Sequence, residues 1–258
     1  MWQALFYRMM SQLRGHTMKL KVIGSSSKGN GYALIADDEI LLIEAGCKLI
    51  EVKKAIDWQI GKVVGCLVSH RHGDHAAHIK EYMKNGITVY GGEDTAADIE
   101  ECGGERIKPL PPKHKTGIGR FVVQPFPLIH DCPCNGFLVT HPDMGRLVFA
   151  TDTEYVKYRF GEVNHILIEA NYSKGYLDES EEGIEKRRHV LQGHMSVEAA
   201  EDFVRANASY DLRNVVLIHL SDYNGDPAGF REKIAAVVDC QVMVAEPGLE
   251  VELKAEPF

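Results

Sequence analysis

Alternating polar and apolar positions begin at Met18-Lys19-Leu20-Lys21-Val22-Ile23 and predict a half-buried strand over residues 19–23. Apolar runs follow at 31–36, 40–44 and 63–69, and the Gly, Ser, Asn and Asp clusters between them read as turns. Helical periodicity then shows over 93–102, 197–206 and around 227–238. Between and after these lie strand-like runs at 121–126, 136–140, 146–150, 165–169, 214–219, 241–245 and 249–253. Strands first, then strands interleaved with helices, predict an α+β protein whose sheets carry helices on their outer faces. The sequence has no repeat, low-complexity tract or Pro/Gly-rich linker, so residues 18–258 read as one domain. Residues 1–17 stand apart from the pattern and read as an extension upstream of a natural start at Met18.

Composition narrows the class. A chain of 258 residues with 45% hydrophobic content can bury a sizeable core, which excludes a disordered, collagen-like or membrane-bundle protein. No run approaches the roughly 20 apolar residues of a spanning helix, and Gln3 and Arg8 interrupt the apolar opening before a signal-peptide core can form. Six scattered cysteines with no C-x-x-C pair read as reduced thiols, so the expectation is a cytoplasmic protein with no membrane association and no evident protein partner. A net charge of −8 argues against coating nucleic acid by bulk charge, while twelve histidines are an unusual number.

The placement of those histidines carries the chemistry. The apolar run ending at Ser69 enters His70-Arg71-His72-Gly73-Asp74-His75, three imidazoles and a carboxylate within six positions, which suits a divalent cation with nitrogen and oxygen ligands. These four cannot all reach one ion in good geometry, so a second ion and more ligands are expected. Three other apolar runs end in a candidate: 126–129 in His130-Asp131, 147–151 in Asp152, and 215–218 in His219. Together they predict a two-metal centre with a bridging carboxylate. Such a donor set suits Zn²⁺ and also Mn²⁺ or Fe²⁺. His78 reads as structural, and Cys132 and Cys134, although close to His130, are not needed as ligands. The turn Gly24 to Gly31 lacks the Lys and Ser/Thr of a phosphate loop, and a strand rather than a helix follows it.

At these motifs the sequence resembles the metallo-β-lactamase-fold superfamily from Met18 onward. The resemblance implies an αββα sandwich with the metals at one edge. It also implies His70, His72 and His130 on one ion, Asp74, His75 and His219 on the other, and Asp152 bridging both. One position departs from the usual pattern: Leu42-Ile43-Glu44-Ala45-Gly46 carries Glu where the family has an Asp that supports the site without ligating.

The fold hosts several chemistries, so the reaction must be read elsewhere. Ser196 stands at a predicted helix N-cap with His194 beside it, an arrangement suited to phosphate. Gly193-His194-Met195-Ser196 resembles the phosphate-binding His motif of tRNase Z-type phosphodiesterases. The GSSSKGNG turn, SHRHGDH, GHMS and the Leu217-Ile218-His219-Leu220-Ser221 ending together resemble the YycJ/WalJ-like exonuclease branch. The expectation is phosphodiester hydrolysis in nucleic acid, DNA ahead of RNA, by a hydroxide held between the ions. Asp74 and Asp152 would orient metals and nucleophile, and His194 would bind the non-bridging oxygen or protonate the leaving group. Lys186, Arg187 and Arg188 would pair with backbone phosphates. The rival is a small-molecule hydrolase acting on a thioester, lactone or lactam, with no use for His194 or the basic run. A silent metal-binding module would lack a ligand, and a redox role would need a flavin partner domain.

Overall fold

A computed structural model describes residues 18–175, 191, 193–221 and 225–255. The first sheet contains β1 (Met18–Gly24), β2 (Gly31–Ile35), β3 (Ile40–Ile43), β4 (Val63–Leu67), β5 (Val89–Gly92) and β6 (Lys108–Leu110) in chain order, with β14 (Glu250–Leu253) outside β1. The second contains β7 (Thr116–Ile118), β8 (Phe121–Leu128), β9 (Cys134–His141), β10 (Gly145–Ala150), β11 (His165–Glu169), β12 (Asn214–Ile218) and β13 (Gln241–Val244), again in chain order. Each sheet is antiparallel through its early strands and parallel from there on, at β3–β4–β5–β6 and β10–β11–β12–β13.

Three apolar layers hold the molecule. Between the sheets, Leu20, Val22, Leu34, Leu41 and Leu67 meet Phe121, Phe137, Phe149, Leu167 and Val216. Over the outer face of the first sheet pack α1 (Leu49–Ala55), α3 (Ile79–Lys84) and α4 (Glu93–Glu101) through Leu49, Val52, Ile79, Tyr82 and Ile99. Over the second lie α5 (Val197–Asn207) and α6 (Pro227–Ala235) through Ala200, Phe203, Val204, Phe230 and Ile234. The result is helix, sheet, sheet, helix, the expected sandwich. The described helices include none long and apolar enough to cross a membrane.

The strands expected from patterning are present with ends shifted by a few residues, as at 136–140, which widens to β9 (Cys134–His141). Patterning missed β5, β6 and β7. They are three or four residues long and contain Gly or Pro, too short to show a period. It also missed the short helices α1, α3 and α2 (Gly73–Ala76).

Parallel strands bring their C-terminal ends to one edge of a sheet, where ligand sites of such sheets form. Here β3, β4, β10, β11 and β12 end at that edge, and β8 joins them because it lies two antiparallel neighbours from β10. Glu44, Ser69-His70, His130, Asp152, Glu169 and His219 all stand at or just beyond these ends.

Candidate metal centre

Three residues at this edge leave their strands in the left-handed region, Glu44 at φ 67°, Asp152 at 47° and His219 at 54°. A non-glycine residue there is strained by about 1 kcal/mol, and such residues cluster at functional sites. β3 and β12 end one residue before Glu44 and His219, and β10 ends two residues before Asp152. Close backbone approach completes the frame: a Cβ on Gly46 would overlap the Asp74 carbonyl oxygen.

Among the described residues four overlapping groups of donor atoms result. Two of them, His72 with His130, Asp131 and Cys132, and Asp152 with Glu169, His194 and His219, include residues outside the expected ligand set, and two are made of the expected ligands alone. In the first of the latter two, His72 Nδ1 lies 3.1 Å from His70 Nε2 and 3.2 Å from His130 Nε2, and Asp152 Oδ2 lies 3.3 Å from His70 Nε2. In the second, His75 Nε2 is 3.2 Å from Asp74 Oδ2 and 3.0 Å from Asp152 Oδ2, and His219 Nε2 is 3.3 Å from Asp74 Oδ2. Donors about 2.0–2.1 Å from a tetrahedral ion lie roughly 3.3–3.4 Å apart, so both groups have the spacing a metal requires. His70, His72, His130 and Asp152 form one cluster able to hold an ion, and Asp74, His75, Asp152 and His219 form another. Asp152 belongs to both. His219 Nε2 is buried with no hydrogen-bond partner, although a buried polar atom normally has one. These residues fit two cations.

Side chains behind the clusters fix the rings. Ser69 Oγ lies 2.9 Å from His70 Nδ1, and Glu44 Oε1 lies 3.4 Å from His75 Nδ1 while Oε2 accepts from Ser69 N. Glu44 thus reaches His75 from behind, despite being one carbon longer than the Asp usual at its position. Cys134 Sγ is 3.8 Å from His70 Nδ1 and Cys132 Sγ 3.9 Å from His72 Nε2, in each case the nitrogen turned away from the cluster. Burial pushes the Cys132 thiol up to about 11 and Cys134 well above its usual value, which keeps both protonated. Asp131 is half exposed, 3.3 Å from His130 Nε2. His78 precedes α3 and faces Glu81 at 3.6 Å.

Charge is concentrated here. Burial opposes charging His75, but Asp152 and Glu44 outweigh it and hold the imidazolium well above the usual histidine range. Burial likewise opposes charging His219, and Asp152 overrides it. In the first cluster burial wins, pushing His70 down and, with His70 adding to it, taking His130 to about 4. Asp74 and Asp152 are held well below the usual carboxylate range, because His219 and His75 outweigh the burial that would raise them. Four carboxylates converge on the edge: Glu44, Asp74, Asp152 and Glu169.

Glu169 is a further candidate site residue, which the sequence reading missed. It ends β11, fully buried, with Oε1 2.7 Å from His194 Nδ1 and 3.1 Å from His219 Nδ1. Its Oε2 accepts from Thr153 N and Met195 N, each at 3.2 Å. His194 therefore faces Glu169 directly and Asp152 Oδ1 at 3.8 Å. Burial opposes its charging, but Glu169 outweighs burial and raises it above the usual range. Ser196 caps α5 as expected, accepting from Ala199 N. The signal for Glu169 was an apolar strand with an acid at its end, the pattern that exposed Asp152. Asn30, whose Nδ2 lies 3.2 Å from Asp74 Oδ2, and Ser25, whose Oγ accepts from His219 N, were also missed. Lys186, Arg187 and Arg188 lie outside the described residues.

The profile of the beta-lactamase superfamily domain matches residues 41–220, the stretch from β3 through the residue after His219. The chain belongs to the beta-lactamase superfamily. Exodeoxyribonuclease YycJ of Bacillus anthracis is 26% identical over 240 residues, covering 86% of this chain and 89% of that protein. Exodeoxyribonuclease WalJ of Streptococcus pneumoniae is 24% identical over 252 residues, covering 92% of each. Among solved structures, the metallo-beta-lactamase fold protein YhfI of Bacillus subtilis aligns with a TM-score of 0.71 at 19% identity, over 92% of this chain and 99% of that one. Human tRNase Z, short form, aligns at 0.60 and 17% identity, over 92% and 99%. At that identity the likeness shows a shared fold. Family membership makes the chain a hydrolase of this superfamily, and the superfamily's divalent metals have residues here that fit them.

Proposed function

We propose that this hydrolase is a dinuclear metal-dependent phosphodiesterase acting on nucleic acid, and specifically an exonuclease on DNA. The observation that carries the reading is the Glu169–His194 pair at 2.7 Å beside the shared carboxylate Asp152. A thioester leaves a thiolate that needs little protonation, whereas a phosphodiester leaves an alkoxide that must take up a proton, which the imidazolium held by Glu169 supplies. A lactone also leaves an alkoxide, and the names of the relatives favour the phosphodiester over it. The exodeoxyribonuclease names of the relatives in Bacillus anthracis and Streptococcus pneumoniae support the same substrate.

In this reading His70, His72 and His130 would hold one ion, Asp74, His75 and His219 the other, and Asp152, which belongs to both groups, would serve each. Bound there, the two ions would supply Lewis acidity toward water and the phosphoryl oxygens. The chain's own groups do the rest. Glu169 anchors His194 through Nδ1, so the proton available for the leaving oxygen sits on Nε2. The N-terminus of α5, capped by Ser196, lies two residues on and favours an anion beside His194. Asp74 is oriented by Asn30 Nδ2. Lys186, Arg187 and Arg188 are assigned to backbone phosphates from their sequence alone.

The test is incubation of the purified protein, chelated and then reloaded with Zn²⁺ or Mn²⁺, with end-labelled single- and double-stranded DNA and RNA. Stepwise shortening of DNA is expected, lost in His219→Ala. Full metal content with no degradation of any nucleic acid would sink the proposal.

A further inference from the structure

Beyond Asp152 the chain runs across the surface as 153–160, outside any regular element, with positions alternating between cover and exposure: Tyr155, Lys157 and Arg159 outward, Val156, Tyr158 and Phe160 against the core. This is the periodicity of an extended segment. Its inner residues anchor it. Tyr158 and Phe160 pack on Phe126 with ring centroids 5.7 and 4.9 Å apart, and Phe160 also meets Phe203 at 6.3 Å. Both ends are tied by hydrogen bonds. Phe160 N donates to Asn207 Oδ1 at 2.7 Å, and Thr153 Oγ1 donates to Tyr155 O while accepting from Ile129 N, each at 3.1 Å. Thr153 Oγ1 so joins the backbones of Tyr155 and Ile129, and Ile129 directly precedes His130.

The outward face is unusual in three respects. Tyr155 is 49% exposed and Ile129 38%, two large apolar side chains left in water beside the first cluster. Lys157 and Arg159 have no carboxylate partner among the described residues, and Lys157 Nζ rests over the Tyr158 ring at 5.4 Å. Alternate residues of an extended segment stand roughly 7 Å apart, on the scale of one nucleotide step along a single strand. An aromatic platform followed at that spacing by two free cations suits a base and then successive phosphates.

We infer that residues 155–159 form the path of the nucleic-acid strand at the metal centre: Tyr155, backed by Ile129, stacks on the base flanking the scissile phosphodiester, and Lys157 and Arg159 pair with the next phosphates. This rests on the phosphodiesterase reading above. Stacking on an exposed ring requires an unpaired base, so the strand held at Tyr155 is single-stranded, and the contacts are indifferent to sequence.

The metal-loaded protein is titrated with fluorescently labelled phosphorothioate 12-mers, one DNA and one RNA, by polarisation over a series of salt concentrations. Tyr155→Ala is expected to weaken binding about tenfold, as loss of one stacked base does, with Tyr155→Phe restoring it. Lys157→Ala with Arg159→Ala should lower the slope of log affinity against log salt by about 1.4, two single-strand phosphate contacts. Lys157→Arg with Arg159→Lys should restore it. All three side chains are exposed, and metal content and melting temperature verify folding. If the wild type binds and cleaves oligonucleotides while both Ala variants keep its affinity and salt slope, the path is overturned and the phosphodiesterase reading stands. If the wild type hydrolyses a small phosphodiester such as bis(4-nitrophenyl) phosphate but binds neither oligonucleotide, the strand path and the nucleic-acid substrate fall together, while phosphodiester chemistry stands. Equal losses for DNA and RNA in Tyr155→Ala are the expected result; a loss confined to one of the two would overturn base stacking at Tyr155, because stacking is indifferent to the sugar.

Discussion

Glu169→Gln isolates the part of the site that sequence reading missed. The substitution keeps volume and hydrogen-bonding reach but removes the charge. Glu169 Oε2 accepts from two backbone amides, Thr153 N and Met195 N, so a glutamine must place its carbonyl oxygen there and turn its NH₂ toward the imidazoles. His194 and His219 then lose a charged acceptor at 2.7 and 3.1 Å. Charge-assisted bonds of this kind are worth about 1.5–3 kcal/mol, and a neutral N–H···N contact recovers about 1 of that. A net loss of roughly 0.5–2 kcal/mol in the orientation of His194 corresponds to about a 2- to 30-fold fall in kcat. The pH profile supplies a second, independent readout. In the wild type the pair raises His194 above the usual histidine range, so the proton donor is present below that value and activity falls as pH rises through it. With the carboxylate gone, Asp152 is left to oppose burial without the stronger partner, so His194 falls and the alkaline limb should move to lower pH. The assay is kcat against pH on an end-labelled oligonucleotide, at verified metal content. A variant with full metal whose kcat stays within about twofold, and whose alkaline limb does not move, would refute the role given to Glu169.

Three further outcomes follow from the same geometry. Asp152→Ala removes the carboxylate common to both clusters, so the purified variant should retain fewer than about half the metal ions of the wild type by elemental analysis; undiminished content would show that Asp152 is dispensable. Loading the chelated protein should release protons, because His75 and His219 are held protonated near neutrality by their carboxylates, and apparent affinity should rise with pH; calorimetry in two buffers of different ionisation enthalpy measures this, and identical heats would count against it. His165, buried between Met144 O and Asn214, is pushed down to about 4, so it is neutral when folded and protonated near 6.5 when unfolded. Its contribution is therefore complete above 6.5 and lost as pH falls toward 4, by up to about 3 kcal/mol. Urea titrations of chelated wild type and His165→Gln at pH 7 and 4.5 should show a shallower acid loss in the variant, and parallel losses would refute it.

Much of the architecture can be read from local pattern. A strand with one buried face announces itself by alternation, and a fully buried one by a short apolar run, so the long strands and the outer helices α4, α5 and α6 are visible in the chain. The candidate ligands are visible for the same reason: a His or Asp that stops an apolar run has no role in the core, and His70, His130, Asp152 and His219 each do so. Six of the twelve histidines, at 70, 72, 75, 130, 194 and 219, gather at this edge, and that accounts for half of the compositional oddity.

What the local pattern could not decide is which remote groups meet. Glu169 reads as one more strand end until parallel pairing of β11 and β12 sets it beside His219, fifty residues later, and the turn before α5 brings in His194. Asn30 reads as a turn residue until Gly46 lets the Asp74 backbone approach it. The segment 155–159 reads as an ordinary charged loop, because only the packing of Tyr158 and Phe160 on Phe126 shows which of its faces is free. Periodicity records how each residue is buried along its own element. Pairing between distant elements depends on sheet order and crossover connections, which local hydrophobicity does not encode.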